Sequence, residues 1–527
     1  MSDPRLQVQP RPRRPAPRWL LPAILVAYAL LGVLYAVYTP AWQAPDEPAH
    51  YNYVRYLAEE YRFPILKPGD FPAAYLEEIK AAHFPSEMSI APIRYEFHQP
   101  PLYYLLLVPL YRLFGGALLP LRLASLLLGG LALVVVYWSV EALVPGRPWL
   151  AWGTAAFMAF LPMHLALNAS VNNDALADLL LALALLLLIR YLKMEAGRDR
   201  TRLLILLGIT GGLGLLTKSS LYILLPFVLL AVAVRHLWLD IPSRRPAAGR
   251  PLSLAGLVGG GTAFLLPAVG LALPWWVRSV AVYGGLDFLG LGRHEQVVAG
   301  QLRTAEFVAQ FGAGRLARDF VVTTFQSFWG QFGWMGVLLD QRLYQALAVL
   351  SALAVAGLGV WLVSLPRSGA AKAATTNPGE SPARSNGFSR LSRWQWAVAG
   401  MLSLWGLLTV ASYLWYNVTF LQHQGRYLFR ALLPFGLAMA LGWRYALRRD
   451  SALPLAGLFL LAGLLLRLPG WIGNWPLLLL AAMGGLLALR RVLPRRLDPL
   501  VQAAPYLALV ILAVISLFFY VVPQLAV

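Results

Sequence analysis

The chain has 527 residues, of which 59% are hydrophobic and 13% charged, a balance that no water-soluble core accommodates. Lys and Arg number 44 against 24 Asp and Glu, a formal net charge of +20; in so apolar a chain this reads as basic cytoplasmic loops, not as a nucleic-acid surface. Cysteine is absent, which excludes disulfides, thiolate metal sites and cysteine nucleophiles.

Apolar runs near the length of a bilayer crossing recur throughout, and inside lipid such runs must be helices. A basic start (Arg11, Arg13, Arg14, Arg18) leads into Trp19–Tyr38, too long for a signal-peptide core and read as a retained first span with a cytoplasmic N-terminus. Just beyond it stands Ala44-Pro45-Asp46-Glu47-Pro48-Ala49-His50. The two prolines hold adjacent carboxylates on a stiff bend, and Pro48 suits the first position of a helix over Ala49–Glu60. A second short helix is expected over Pro72–His83. To Gln99 this stretch carries nine acidic residues against five basic ones, the reverse of the chain's balance and fitting for an external loop.

The segment His98–Phe114 is short for a span and interrupted by Pro109 and Arg112. Counting it as a crossing would invert everything downstream, so the positive charges decide. Arg190, Lys193, Arg198, Arg200 and Arg202 form the densest basic loop of the first half and are assigned to the cytoplasm. Working back through Asn172–Ile189, Trp149–Leu167 and Leu121–Trp138, the segment must begin and end outside. It is expected to lie on the outer surface or to dip partly into the membrane.

Further spans alternate at Leu203–Leu216, Leu221–Leu237, Leu252–Trp275, Leu343–Val363, Trp396–Tyr416, Tyr427–Tyr445, Leu453–Leu466, Trp475–Leu489 and Tyr506–Val522. The total is about thirteen in an all-α polytopic membrane protein. External loops are expected at 40–120 and 276–342, and a disordered cytoplasmic linker at 366–393.

This topology brings the scarce polar residues to one face: Asp46, Glu47, His50, His98, Arg122, Asn173, Asp174, Lys218, Arg278 and Arg426. Ionisable groups that avoid lipid and gather at one depth suggest a polar cavity. Cations there suit a lipid phosphate, which is also a leaving group. A carboxylate suits removal of a proton from an attacking hydroxyl or amine. Asp46 is the expected general base with Glu47 beside it. Lys218, Arg278 and Arg426 are expected at the phosphate, and His50, His98, Arg122, Asn173 and Asp174 in the cavity. A divalent cation held by Asp46 and Glu47 is left open.

Five motifs carry a family resemblance: Pro45-Asp46-Glu47; His98-Gln99-Pro100-Pro101-Leu102-Tyr103-Tyr104; Arg122-Leu123-Ala124-Ser125; Asn172-Asn173-Asp174; and Pro274-Trp275-Trp276-Val277-Arg278-Ser279. In order and spacing they resemble the GT-C superfamily of integral membrane glycosyltransferases, among them protein O-mannosyltransferases, lipid A aminoarabinose transferases and uncharacterised prokaryotic members. His423-Gln424-Gly425-Arg426-Tyr427-Leu428 looks like an element of the last group. The resemblance covers residues 1–342 as a catalytic module and the spans of 343–527 only in general pattern. It implies a polyprenyl-phosphate sugar donor, a site facing the cell exterior, and a first-loop catalytic carboxylate at Asp46. The rival readings are a lipid-linked glycan polymerase or ligase, a transporter or flippase, and a non-catalytic scaffold.

Overall fold

The structure, a computed structural model, describes residues 19–195, 197–240, 254–300, 302–364 and 391–526. Helix α1 (Leu20–Tyr38) is followed by a folded first loop containing α2 (Glu47–Glu60), α3 (Ala73–Ala81) and α4 (Leu102–Leu113). Next come α5 (Leu118–Leu143), α6 (Pro148–Phe160), α7 (Pro162–Asn168), α8 (Asp174–Lys193), α9 (Arg198–Leu215), α10 (Leu224–Val234) and α11 (Leu254–Tyr283). A second loop holds α12 (Leu291–Val297), α13 (Thr304–Phe311), α14 (Ala313–Trp329) and a two-stranded hairpin, β1 (Gln331–Phe332) with β2 (Val337–Leu338). The remainder is α15 (Gln341–Val363), α16 (Arg393–Thr419), α17 (Leu432–Ala446), α18 (Arg449–Arg467), α19 (Asn474–Val492), α20 (Asp498–Ile515) and α21 (Val522–Leu525).

The expected all-α polytopic architecture is thus present. Among the described residues, ten helices are long and apolar enough to cross a membrane, or eleven if the bent pair α6–α7 is one span. The figure of about thirteen is not reached. Helix α9 opens with Arg198, Asp199, Arg200 and Arg202, and α17 has 15 residues. The bend of 69° between α6 and α7 follows from Pro162, which has no N–H for the Met158 carbonyl one turn back. The His164 Nδ1 donates to that carbonyl at 2.8 Å instead. The expected linker at 366–393 lies outside the described residues, except for the last three positions leading into α16.

Helix α4 does not cross. Its 12 residues rise about 18 Å, short of the hydrocarbon thickness. Its first amide donates to the carbonyl of Leu216, just past α9, and its last turn leads through Gly115 and Gly116 straight into α5. Both ends therefore sit at one end of the bundle, as the charge argument required. Leu105, Leu106 and Leu113 are exposed along it.

The main core runs through the bundle, with a second cluster under the first loop where Tyr53 stacks on Tyr104 at 3.8 Å. Helices α15 and α17 touch backbone to backbone. A Cβ on Gly357 would come within 1.9 Å of the Gly442 carbonyl oxygen, and one on Gly442 within 2.1 Å of the Ala354 oxygen. Small residues permit this approach between membrane helices. Gly442→Ala is expected to cost about 1–3 kcal/mol through overpacking, read as a lowered thermal midpoint of the detergent-solubilised protein.

Candidate active site

Asp46 occupies the N-cap of α2 with φ 68° and makes no side-chain capping bond. Aspartate at this position ordinarily bonds the free amides of the first turn, and a non-glycine residue in the left-handed region carries a strain of about 1–3 kcal/mol. The chain forgoes the cap and holds the strain to turn the carboxylate elsewhere. Its Oδ1 accepts from the Tyr95 hydroxyl at 2.8 Å, and its Oδ2 lies 2.9 Å from the Arg426 guanidinium. Burial opposes ionisation of Asp46, but Arg426, His50 and the Tyr95 hydroxyl outweigh it and hold the carboxyl below its ordinary value. Arg426 is partly desolvated, yet Asp46 and Asp174 keep it more firmly charged than usual.

A second ion cluster adjoins the first. The Asp174 Oδ1, at the head of α8, receives the Lys218 ammonium at 2.6 Å and also Arg430. Arg430 bridges on to Asp178, one turn deeper on α8, and Asp178 approaches the His164 Nε2 at 3.6 Å. Arg426 and Arg430 reach inward because the segment Gly425–Ala431 is a short 3₁₀ run ahead of α17. Gly425 is required there: a Cβ would lie 2.3 Å from the Thr324 oxygen on α14.

Imidazoles form a third part. His50 Nδ1 meets the Tyr104 hydroxyl at 2.8 Å, and the rings of His98 and His294 are 4.4 Å apart. Burial, then its neighbour His294, holds His98 well below the ordinary imidazole value; burial likewise lowers His50. Three polar atoms around these clusters are buried without a partner: Arg426 Nε, Asn173 Oδ1 and Glu96 Oε2. Each retains bonding capacity for a polar ligand.

The structure brings together Asp46, His50, His98, Asn173, Asp174, Lys218 and Arg426. It does not make Asp46 and Glu47 a working pair. Glu47 is fully buried and faces Arg122, which donates to its two oxygens at 2.8 and 2.6 Å. The Val171 amide donates to the same carboxylate, and Arg122 also binds the carbonyls of Ala36, Thr39 and Pro40. Glu47 and Arg122 are therefore a clamp joining α1, α2, α5 and the turn before α8. The shared cation site does not fit either, because the two carboxylates diverge and each is already bound to a guanidinium. Among the described residues no three acidic or histidine groups gather as a metal cage.

Arg278 stands apart as well. It donates to the Phe63 and Pro64 carbonyls and lies 4.5 Å over the Trp275 ring, so it fastens the first loop to α11 and none of its bonds reaches Asp46 or Asp174. Sequence reasoning missed Arg430, Tyr95, Glu96 and His294. Only Arg430 left a usable signal, as a second arginine one turn beyond Arg426 at the head of an apolar run.

Residues 98–249 match the family model described as dolichyl-phosphate-mannose-protein mannosyltransferase. The chain resembles the GT-C integral membrane glycosyltransferases. It is 30% identical over 262 residues to undecaprenyl phosphate-alpha-4-amino-4-deoxy-L-arabinose arabinosyl transferase 2 of Pseudomonas fluorescens. That match covers 49% of this chain but only 38% of the relative. Among solved structures, ArnT from Cupriavidus metallidurans bound to undecaprenyl phosphate is similar at 15% identity and a TM-score of 0.46, over 95% of this chain and 77% of that one. The Archaeoglobus fulgidus oligosaccharyltransferase AglB, with an inhibitory peptide and a dolichol-phosphate, is similar at 16% identity and a TM-score of 0.41, over 93% and 56%. The matched family segment contains His98, Asn173, Asp174 and Lys218 but neither Asp46 nor the two arginines at 426 and 430.

Proposed function

We propose that the chain is an inverting glycosyltransferase that moves one sugar from a polyprenyl-phosphate carrier to an acceptor at the non-cytoplasmic face of the plasma membrane. The observation that carries this reading is Asp46, strained and uncapped, facing a cluster in which Lys218, Arg426 and Arg430 converge. The partial matches to carrier-dependent sugar transferases agree with it. Lys218, Arg426 and Arg430 would bind the carrier phosphate and stabilise its charge as the anomeric C–O bond breaks toward it. The acceptor hydroxyl or amine forms the new bond to the anomeric carbon and gives its proton to Asp46. A carboxylate locked to Arg426 is a weak base; sharing that guanidinium with an arriving phosphate would loosen the lock and raise its basicity. Asn173 Oδ1 and Glu96 Oε2 are placed to receive sugar or acceptor hydroxyls.

The sidedness is supported by the far end of the bundle, where Arg190, Lys193, Arg449, Arg490 and Arg491 collect, as cytoplasmic ends do. The deciding experiment incubates the purified protein with lipid-linked sugars and follows donor and product by mass spectrometry, alongside surface glycans of cells with and without the protein. Sugar uptake by reconstituted vesicles with no glycosidic product would overturn the reading.

The pH dependence has a defined sign. The folded-state value of Asp46 is lowered, so it stays ionised until the pH falls below the ordinary carboxylate range. His50 and His98 are lowered from 6.5, so they stay neutral below that pH. The pH–rate profile is expected to lack an acid limb at pH 6.5 or above.

A further inference from the structure

At the end of the bundle opposite Asp46, the last turns of α5 and α8 enclose an open pocket of about 470 Å³ lined by Trp138, Glu141, Ala142, Pro145, Arg190 and Lys193. One face is acidic. The Gly146 amide holds the Glu141 carboxyl, and its Oε1 is buried without a partner. The other face is basic: Arg190 and Lys193 are exposed, and among the described residues neither is ion-paired, Lys193 only lying over the Trp394 ring at 5.4 Å. Trp138 is 51% exposed on the flank of a spanning helix, where an indole marks the lipid–water boundary.

A buried carboxylate oxygen needs a donor, and a guanidinium beside an ammonium suits a phosphate. The ligand that answers both carries a primary ammonium and a phosphodiester a few bonds apart, at the membrane surface. A glycerol head group would offer Glu141 only neutral hydroxyls in place of an ammonium, and a choline head group has no N–H to give. We infer that this pocket binds the head group of an aminophospholipid of the phosphatidylethanolamine type, with its ammonium on Glu141 and its phosphate on Arg190 and Lys193. The site is independent of the transfer chemistry at the other end.

The test is native mass spectrometry of the delipidated full chain titrated with dioleoyl phosphatidylethanolamine, phosphatidylcholine or phosphatidylglycerol. Ethanolamine adducts are expected at roughly tenfold lower lipid concentration than choline adducts, the effect of one charge-assisted hydrogen bond. Glu141→Gln should erase that preference, and Arg190→Gln should weaken both lipids. Equal binding of the two lipids by the unmodified protein would overturn the proposal without recourse to a variant. So would stronger binding of phosphatidylglycerol, or a preference that survives Glu141→Gln. Free phosphoethanolamine displacing the lipid at equal concentration would refute the lipid as occupant.

Discussion

Replacing Asp46 with Asn is expected to lower the transfer rate by about 10²–10⁴-fold, the usual loss when a positioned base is removed. Asn has nearly the same size and can still accept from the Tyr95 hydroxyl, so the bend at the head of α2 should persist. What disappears is the charge that holds Arg426 and receives the acceptor proton. Donor binding should survive or strengthen, because Arg426 is then free to face the carrier phosphate. The expected signature is a collapse of kcat with KM for the lipid-linked sugar unchanged or lower. Retention of full activity in membranes would remove Asp46 from the chemistry and leave the ion cluster a structural feature.

The second large effect falls on folding. Arg122→Leu leaves the Glu47 carboxylate fully buried with only two backbone amides, those of Val171 and Trp42, as donors. Removing one partner of a buried ion pair costs about 3–5 kcal/mol, a large share of the stability of an ordinary domain. Three carbonyls at the end of α1 lose their donor as well. The variant is expected to accumulate poorly and to melt well below the parent in detergent, before any effect on activity can be assigned. Asp46→Asn should melt close to the parent. That contrast separates the two adjacent carboxylates more sharply than either variant alone.

Most of the architecture could be read from the chain because lipid leaves the backbone so few options. Each expected span has a helix near its position, and the parity argument from Arg190 and Lys193 puts both ends of α4 at one end of the bundle, where they lie. The site was legible in part. Asp46, Asp174, Lys218 and Arg426 stand out as charges in apolar surroundings, and they do meet. Glu47 and Arg122 carried the same signal, yet they meet each other. Composition flags a buried charge but not its partner, since a clamp and a catalytic pair look alike in one dimension. Arg278 is a related case: the partners it has, the carbonyls at 63 and 64, are backbone, which sequence does not mark. Glu96 and His294 were invisible because their proximity to the site depends on how the two loops fold over the bundle.

The arginines on Gly425–Ala431 enter the cavity from late in the chain, after all sixteen helices α1–α16. While the ribosome is still delivering the earlier spans, Asp46 is already at the membrane surface but has no guanidinium opposite it. On the proposed reading the half-built molecule holds one of the three cations assigned to the carrier phosphate, Lys218, and the set is complete only once the segment leading into α17 is in place.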